Sequence, residues 1–485
     1  MKMIKQTIYM LMAGILLTGT ACEKQLDIAS VTNLTNATYY KTAEDAKSAL
    51  GACYKSMGVL DPFPDLVTTD DAVPFLSGAA DRVLLWRYNL TPSNSFINIY
   101  SGAYAGINRS NTLIDRLPGI PMNEELKNRY IAEAKVLRAL HYFNLVRLYG
   151  GVPITITETA TLEGLDIPRK SVDEVYAQIE KDLTEAENVL PPSYPAADAG
   201  RVTSGAAKGL LAKVYLTRAG TDKSSPFWGQ AAAKAKEVID QGVYGLYANF
   251  ADAFALTARG GKENMLEVQY LTDVYGHGTG RGYGPRAAPI FPGGGSAIAR
   301  PTESLFNAYA ANDKRKPVTF MTSYTYNGVT TNLSITDPDP SKAVSFQKLW
   351  DRSAKTNGGE GTSRPVLRYA DVLLIYAEAA NEANGAPTVE AYTALNNVRT
   401  RAGLANLSGL GYQDFKEAVW LERRLELAFE NSRRFDLVRT GRLIDAVKAE
   451  NSYNRNAEIQ PFHELFPIPL SVMDASPTLE QNPGY

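Results

Sequence analysis

Apolar residues in this chain return at helical spacing over stretch after stretch, and one long break, about residues 245–368, divides the series. A period of 3.6 residues gives each stretch one apolar stripe, so the stretches must pack on one another to bury it. The clearest is residues 123–149, where Leu126, Tyr130, Leu137, Leu140, Phe143 and Leu148 recur at near-helical spacing and Ala134 is small enough for close approach. Asn123 is placed to cap this helix, Glu124 and Glu125 suit its positive end, and Gly150-Gly151 stops it. Ser171-Val172-Asp173-Glu174 reads as a capping box, opening a helix with Val175, Ile179, Leu183, Ala186 and Leu190 on one face. Thr42 opens an earlier helix with Glu44 and Asp45 in its first turn and Ala46, Leu50, Cys53 and Met57 in line. Further helices are expected at about residues 96–117, 203–216, 228–239, 369–383, 388–402, 412–429 and 432–447.

Helices of this length in pairs predict a mainly α fold, a tetratricopeptide-like solenoid. The long irregular insertion interrupts it, rich in glycine, proline and tyrosine, with short strands such as Asn264–Leu271. Residues 60–95 form a second irregular part, and the tail from Phe462, with Pro467, Pro469 and Pro483, is expected to be extended.

The beginning of the chain reads as an export signal. Lys2 and Lys5 precede a short apolar run, Ile8–Leu17, too short to span a bilayer. It ends in Leu17-Thr18-Gly19-Thr20-Ala21-Cys22, a lipobox-like sequence with Gly19 where an aliphatic residue is usual. Residues 1–21 are therefore expected to be a lipoprotein signal peptide, Cys22 the lipid attachment site, residues 22–41 a lipidated tether, and residues 42–485 a single helical domain. Cys53, left without a disulfide partner, reads as a small buried hydrophobe. The formal charge of −2 gives no net pull toward nucleic acid.

Catalytic patterns are scarce. The three histidines, His141, His277 and His463, are far apart in sequence, and no metal or cofactor motif is expected. The run from Gly276 to Gly284 superficially resembles a phosphate loop but lacks its spacing, and a flexible loop is the reading preferred. Asp337-Pro338-Asp339 reads as a turn rather than a calcium site. A glycosidase needs two facing carboxylates, for which Asp65, Asp70, Asp71 and Asp81 are the candidates in the early irregular part. Glu422, Glu426 and Glu430 lie at i, i+4, i+8 and must be answered by cations. Arg423, Arg424, Arg433, Arg434 and Arg439 are the expected partners, with Asp436 as a further acceptor, in a structural ion-pair network.

Four segments stand in a recognisable order: R-Y-I-A-E-A-K-V-L-R-A-L-H-Y-F-N-L-V-R-L-Y-G-G-V-P (129–153), L-R-Y-A-D-V-L-L-I-Y-A-E-A-A-N-E (367–382), L-E-R-R-L-E-L-A-F-E-N-S-R-R-F-D-L-V-R-T-G (421–441), and L-F-P-I-P with the terminal Q-N-P-G-Y (465–485). On these the chain resembles the SusD/RagB family of outer-membrane nutrient-binding lipoproteins. The resemblance implies a tetratricopeptide-like scaffold and a ligand site built from the less regular parts. It also implies a partner, a SusC-like TonB-dependent outer-membrane transporter, to which a non-catalytic surface protein delivers captured glycan or oligosaccharide. By region, the ligand-binding candidates are Trp86, Arg82 and Tyr88, then Tyr275, Arg281, Tyr283, Tyr324 and Tyr326. Aromatic faces suit the C–H faces of sugars, and arginine suits their hydroxyl rims. A peptide ligand is the first alternative, and a secreted glycoside hydrolase the second.

Overall fold

The computed structural model describes residues 39–59, 63–159 and 166–485. The signal segment, Cys22 and nearly all of the tether lie outside the described residues. The long helices are α1 (Ala43–Ser56), α2 (Tyr100–Arg116), α3 (Glu124–Tyr149), α4 (Val172–Glu187), α5 (Ser204–Ala219), α6 (Phe227–Asp240), α7 (Tyr369–Asn384), α8 (Val389–Arg401) and α9 (Tyr412–Glu426). From α1 to α9 each packs on the next, and α7 also packs on α9. The contact between α6 and α7 is one of the most extensive, so the solenoid closes up again beneath the insertion that separates them in sequence.

Local chemistry sets the helix ends. Asn123 accepts a hydrogen bond from Leu126 N at 2.9 Å, and Gly150, at φ 75°, ends α3. The Ser171 box is present, with Oγ accepting from Glu174 N at 3.2 Å and the Glu174 carboxylate accepting from Ser171 N at 2.9 Å. A matching box joins Thr42 and Asp45 at the start of α1. Most of α3 is buried, on more than one face, because α2 and α4 flank it. His141 on this helix is fully buried against Ser56 of α1, a packing role.

Two expectations of irregularity or continuity need correction. Residues 63–86 contain two short helices, Phe63–Val67 and Ala80–Trp86, and a strand, β1 (Ala72–Pro74). The expected helix at about 432–447 is two, α10 (Arg433–Arg439) and α11 (Leu443–Ala449), broken at Gly441 with φ 67°. The insertion carries seven short strands: β2 (Asn264–Val268), β3 (Ala299–Pro301), β4 (Phe320–Met321), β5 (Ser323–Tyr326), β6 (Val329–Asn332), β7 (Ser345–Phe346) and β8 (Arg364–Arg368). They pair antiparallel in twos: β1 with β3, β2 with β8, β4 with β7, and β5 with β6.

The three glutamates, Glu422 and Glu426 on α9 and Glu430 beyond its end, are indeed answered by cations, but not by those of their own motif. Glu422 meets Arg315 at 2.5 Å and Arg399 at 3.0 Å, and Glu426 meets Arg315, Arg368 and Arg401 at 3.2, 2.9 and 2.5 Å. Glu430 pairs with Lys348 and, at 2.7 Å, with Arg368. The expected partners turn elsewhere: Arg423 to Asp371 and Asp436, Arg424 and Arg433 to Asp70 and Asp71, Arg439 to Glu378 and Asp436. Arg434 donates to the backbone carbonyls of His463 and Glu464 and to the Tyr88 hydroxyl. For Arg423 and Arg424 helix geometry explains the difference, since they stand one and two places along α9 from Glu422; Arg433, Arg434 and Arg439 lie on the separate helix α10. The ion pairs fasten the insertion to the last helices.

The terminal segment is fixed by side chains rather than by prolines alone. Asn482 donates to the carbonyls of Tyr149 and Phe466 at 3.0 and 2.8 Å, and Tyr485 Oη donates to Leu465 O at 2.8 Å.

Candidate functional site

Pairing of β1 with β3 brings the early irregular part onto the insertion, with Val73 opposite Arg300 and Pro74 opposite Ala299. The pairing continues one residue further, Phe75 N donating to Ile298 O at 3.0 Å. Proline at both ends of this short ladder limits it, and the chain then turns away with Leu76 40 % exposed. Beside it lies a cleft of about 340 Å³, whose walls include Phe75, Leu76, Tyr283, Arg300, Pro338 and Tyr453.

Two cation–aromatic contacts brace this cleft. The Arg300 guanidinium lies 4.1 Å from the Tyr453 ring centroid, and that of Arg286 lies 4.4 Å from the Phe75 ring centroid. Arg300 also donates to Asp337 O at 2.5 Å, which ties the cleft to the Asp337-Pro338-Asp339 turn. Burial lowers the Arg300 guanidinium and raises the Tyr453 phenol from their ordinary values. Tyr453 sits at φ 56°, a left-handed conformation that presents its ring to Arg300. Val344 and Ser345 from β7 and the preceding residue close the floor with Tyr283. The described lining is aromatic, aliphatic and cationic, with two serines and no carboxylate.

The acids considered for hydrolysis are engaged elsewhere. Asp70 is held by Arg433 at 2.7 Å and Arg424 at 3.0 Å, and Asp71 by Arg424 at 2.8 Å. Asp81 accepts from Ser95 N and Oγ at 3.1 and 2.8 Å, and Asp65 is buried. Among the described residues no group of three His, Cys, Asp or Glu side chains is placed to hold a metal ion.

Of the eight side chains expected by region, Tyr283 alone lines this cleft, and it is itself almost buried, edge-on to Phe429 at 4.7 Å. Trp86 is 0 % exposed and therefore is not a surface platform. Its ring lies under Arg455, whose Nε donates to Trp86 O at 2.9 Å and whose other nitrogens serve Thr69 and Val67. Tyr88 is also buried, donating to Thr68 O and receiving Arg434. Both anchor the short helix Ala80–Trp86 to the chain beside it. Arg82 stacks on Phe96, 5.1 Å from its centroid. Arg281 braces its own loop through Pro292 O at 3.1 Å.

Tyr324 and the exposed Tyr326 lie on the β5–β6 hairpin, outside the cleft, and Tyr275 lies in a separate one. The glycine run expected to be flexible forms a short helix, Thr279–Tyr283, whose Gly280 and Arg281 amides donate to Glu360 at 2.6 and 2.9 Å. An internal carboxylate thus occupies the position a phosphate would take. Phe75, Leu76, Arg300 and Tyr453 were not foreseen. Two adjacent large apolar residues between Pro74 and Ser77-Gly78 are the one signal in the sequence for the first pair.

Two family models match the chain, one described as "SusD family" over residues 262–485 and one as "Starch-binding associating with outer membrane" over residues 68–216. SusD-like protein P25 of Formosa agariphila is 28 % identical over 81 % of this chain and 80 % of its own. A SusD superfamily protein from Parabacteroides distasonis has a crystal structure that superposes with TM-score 0.81 at 28 % identity, over 93 % of this chain and 100 % of that one. A laminarin-binding SusD-like protein superposes with TM-score 0.79 at 27 % identity, over 92 % of this chain and 100 % of that one. With the motif order, the solenoid and these matches in agreement, the chain belongs to the SusD/RagB family.

Proposed function

We propose that the protein is a non-catalytic glycan-binding lipoprotein of the outer-membrane surface. It captures oligosaccharide in the Phe75–Tyr453 cleft and passes it to a SusC-like TonB-dependent transporter. One observation carries this reading: a cleft with an exposed leucine, half-buried aromatic rings and a fixed guanidinium, lined by no carboxylate among its described residues. Such a lining offers stacking to sugar C–H faces and a donor to their hydroxyls, and it lacks the acid pair that glycosidic cleavage needs. The laminarin-binding relative supports a saccharide ligand. Delivery, the lipid on Cys22 and a location at the cell surface follow from the family resemblance and the lipobox.

The test is calorimetric binding of the full-length chain, in detergent, to a panel of polysaccharides, oligosaccharides and peptides, with each mixture analysed for cleavage. Saccharide binding lost in Phe75→Ala and Tyr453→Ala, without products, is the expected result. Peptide binding alone, or released products, overturns it.

A further inference from the structure

The Phe75–Tyr453 cleft holds cations that the chain does not answer. Elsewhere in the insertion Arg315, Lys348 and Arg368 are each met by Glu422, Glu426 or Glu430. Arg300, on the cleft wall, and Arg286, at its rim, are not: among the described residues neither guanidinium pairs with a carboxylate. We infer that the cleft selects an acidic saccharide, a sugar unit bearing a carboxylate or a sulfate ester, whose anionic group takes the open edge of the Arg300 guanidinium with Arg286 as the outer cation. The inference rests on the reading of this cleft as the glycan site and narrows its ligand class.

Arg300 is fixed before any ligand arrives. Strand β3 carries it opposite Val73, Nη1 donates to Asp337 O, and the Tyr453 ring stands 4.1 Å from the guanidinium. Nη1 is the one nitrogen given to a backbone carbonyl, and the side chain is half-buried rather than enclosed. A fork of five N–H donors thus keeps an edge for a planar carboxylate or for sulfate oxygens. Burial lowers this guanidinium from its ordinary value despite Asp337 nearby, and an anionic ligand supplies the close counter-charge it lacks.

Arg286 stands at the rim. Its guanidinium lies 4.4 Å from the Phe75 ring centroid, its amide donates to Pro340 O at 2.9 Å, and the residue is exposed. The carboxylates that these two cations feel are turned into their own loop. Asp337 accepts from Asp339 N at 2.9 Å, and Asp339 from Ser341 N and Oγ at 2.9 and 2.8 Å. They act on Arg300 and Arg286 from beyond ion-pair distance.

The attraction is local, because the chain as a whole carries a formal charge of −2. Apolar walls from Phe75, Leu76 and Val344 strengthen it by keeping water from one side of the cleft. A hydrogen bond to an ionised acceptor is roughly twice as strong as one to a neutral hydroxyl, so a neutral sugar makes less of Arg300 than an acidic one.

The experiment titrates the full-length chain in detergent, by calorimetry at low and high sodium chloride, with tetragalacturonate, a sulfated carrageenan tetrasaccharide, maltotetraose and laminaritetraose. An acidic tetrasaccharide is expected to bind about ten- to hundredfold more tightly than the neutral ones at low salt, with an advantage that shrinks as salt screens it. Which of the two acidic ligands gains more tells carboxylate from sulfate. Arg300→Gln should remove most of the advantage and Arg286→Gln part of it, whereas Arg300→Lys should keep some. Circular dichroism checks folding, and Arg286→Gln, at an exposed position, tests the inference even where Arg300→Gln does not fold. Equal affinity for acidic and neutral ligands, tighter binding of the neutral ones, or an acidic advantage unmoved by Arg286→Gln and Arg300→Gln overturns the selectivity and leaves glycan capture standing. Failure of the unaltered chain to bind any of the four overturns both.

Discussion

Arg401 meets Glu426 at 2.5 Å in the interior, each of them less than a tenth exposed. Arg368 and Arg315 close on the same carboxylate, so one acid joins three segments of the chain. Removing one member of a buried pair leaves charge uncompensated, at a cost of about 3–5 kcal/mol. Glu426→Ala is expected to lower the urea midpoint by a corresponding amount, and Glu422→Ala by less, because Glu422 answers only two arginines. Burial pushes the Glu426 carboxyl up, but Arg401, Arg368 and Arg315 outweigh it and hold it well below the usual range. Its contribution is therefore complete above the unfolded carboxyl range and is lost as pH falls below it.

Trp86 separates packing from binding. Its indole is fully enclosed beneath Arg455, so Trp86→Ala is expected to cost about 3–5 kcal/mol in stability. Trp86→Phe should fold with a smaller loss and bind saccharide with unchanged affinity, as calorimetry on the folded variant would show. An affinity loss in Trp86→Phe at unchanged fold would return this side chain to the site.

These two residues also mark what local sequence conveys. Helix α3 is legible because its cap, Asn123, and its stop, Gly150, are adjacent to the stripe they bound. The glutamate series is legible too, since three like charges at i, i+4, i+8 demand partners. Which cations answer is not, because Arg315, Arg368 and Arg401 arrive from other segments through the tertiary fold. The cleft fails for the same reason. It is assembled from residues near 75, 300 and 453 by a strand pair only three residues long on each side, too short for any period to show. Trp86 attracts attention by residue type, whereas exposure depends on Arg455, hundreds of residues away in sequence.

Asn482, in the terminal Q-N-P-G-Y, tests whether that motif is structural. Its amide donates to Tyr149 O and Phe466 O, and its carbonyl accepts from Arg169 at 2.7 Å. Asn482→Asp turns the donor toward two carbonyls into an acceptor and is expected to cost more than Asn482→Ala, itself about 1–3 kcal/mol. Both should lower the thermal midpoint and leave the saccharide Kd unchanged, since Asn482 does not line the Phe75–Tyr453 cleft.

The last prediction concerns acid. Ser56 Oγ donates to Cys53 O at 2.6 Å, so its 2.8 Å contact with His141 Nε2 requires the histidine to be the donor there. Nδ1 is then the unprotonated nitrogen, buried and without a partner. Space for the ring is provided by Gly106, where a Cβ would stand 2.2 Å from Nε2. Burial, with Arg109 nearby, lowers the imidazole from 6.5 to about 4. The folded value lies below the unfolded one, so above pH 6.5 the group costs nothing. As pH falls from 6.5 toward 4 the unfolded chain takes up the proton first, and stability declines by about 2 kcal/mol at pH 5. Glu267 and Glu360, raised by burial to about 7, pull the other way in the same window, because their folded carboxyls hold protons more tightly. The informative quantity is therefore the difference between the unaltered chain and His141→Gln in urea titrations at pH 7.5 and pH 5. The variant should lose about 2 kcal/mol less over that interval, whatever its stability at pH 7.5. Equal losses in both proteins would mean that the buried imidazole finds an acceptor when protonated.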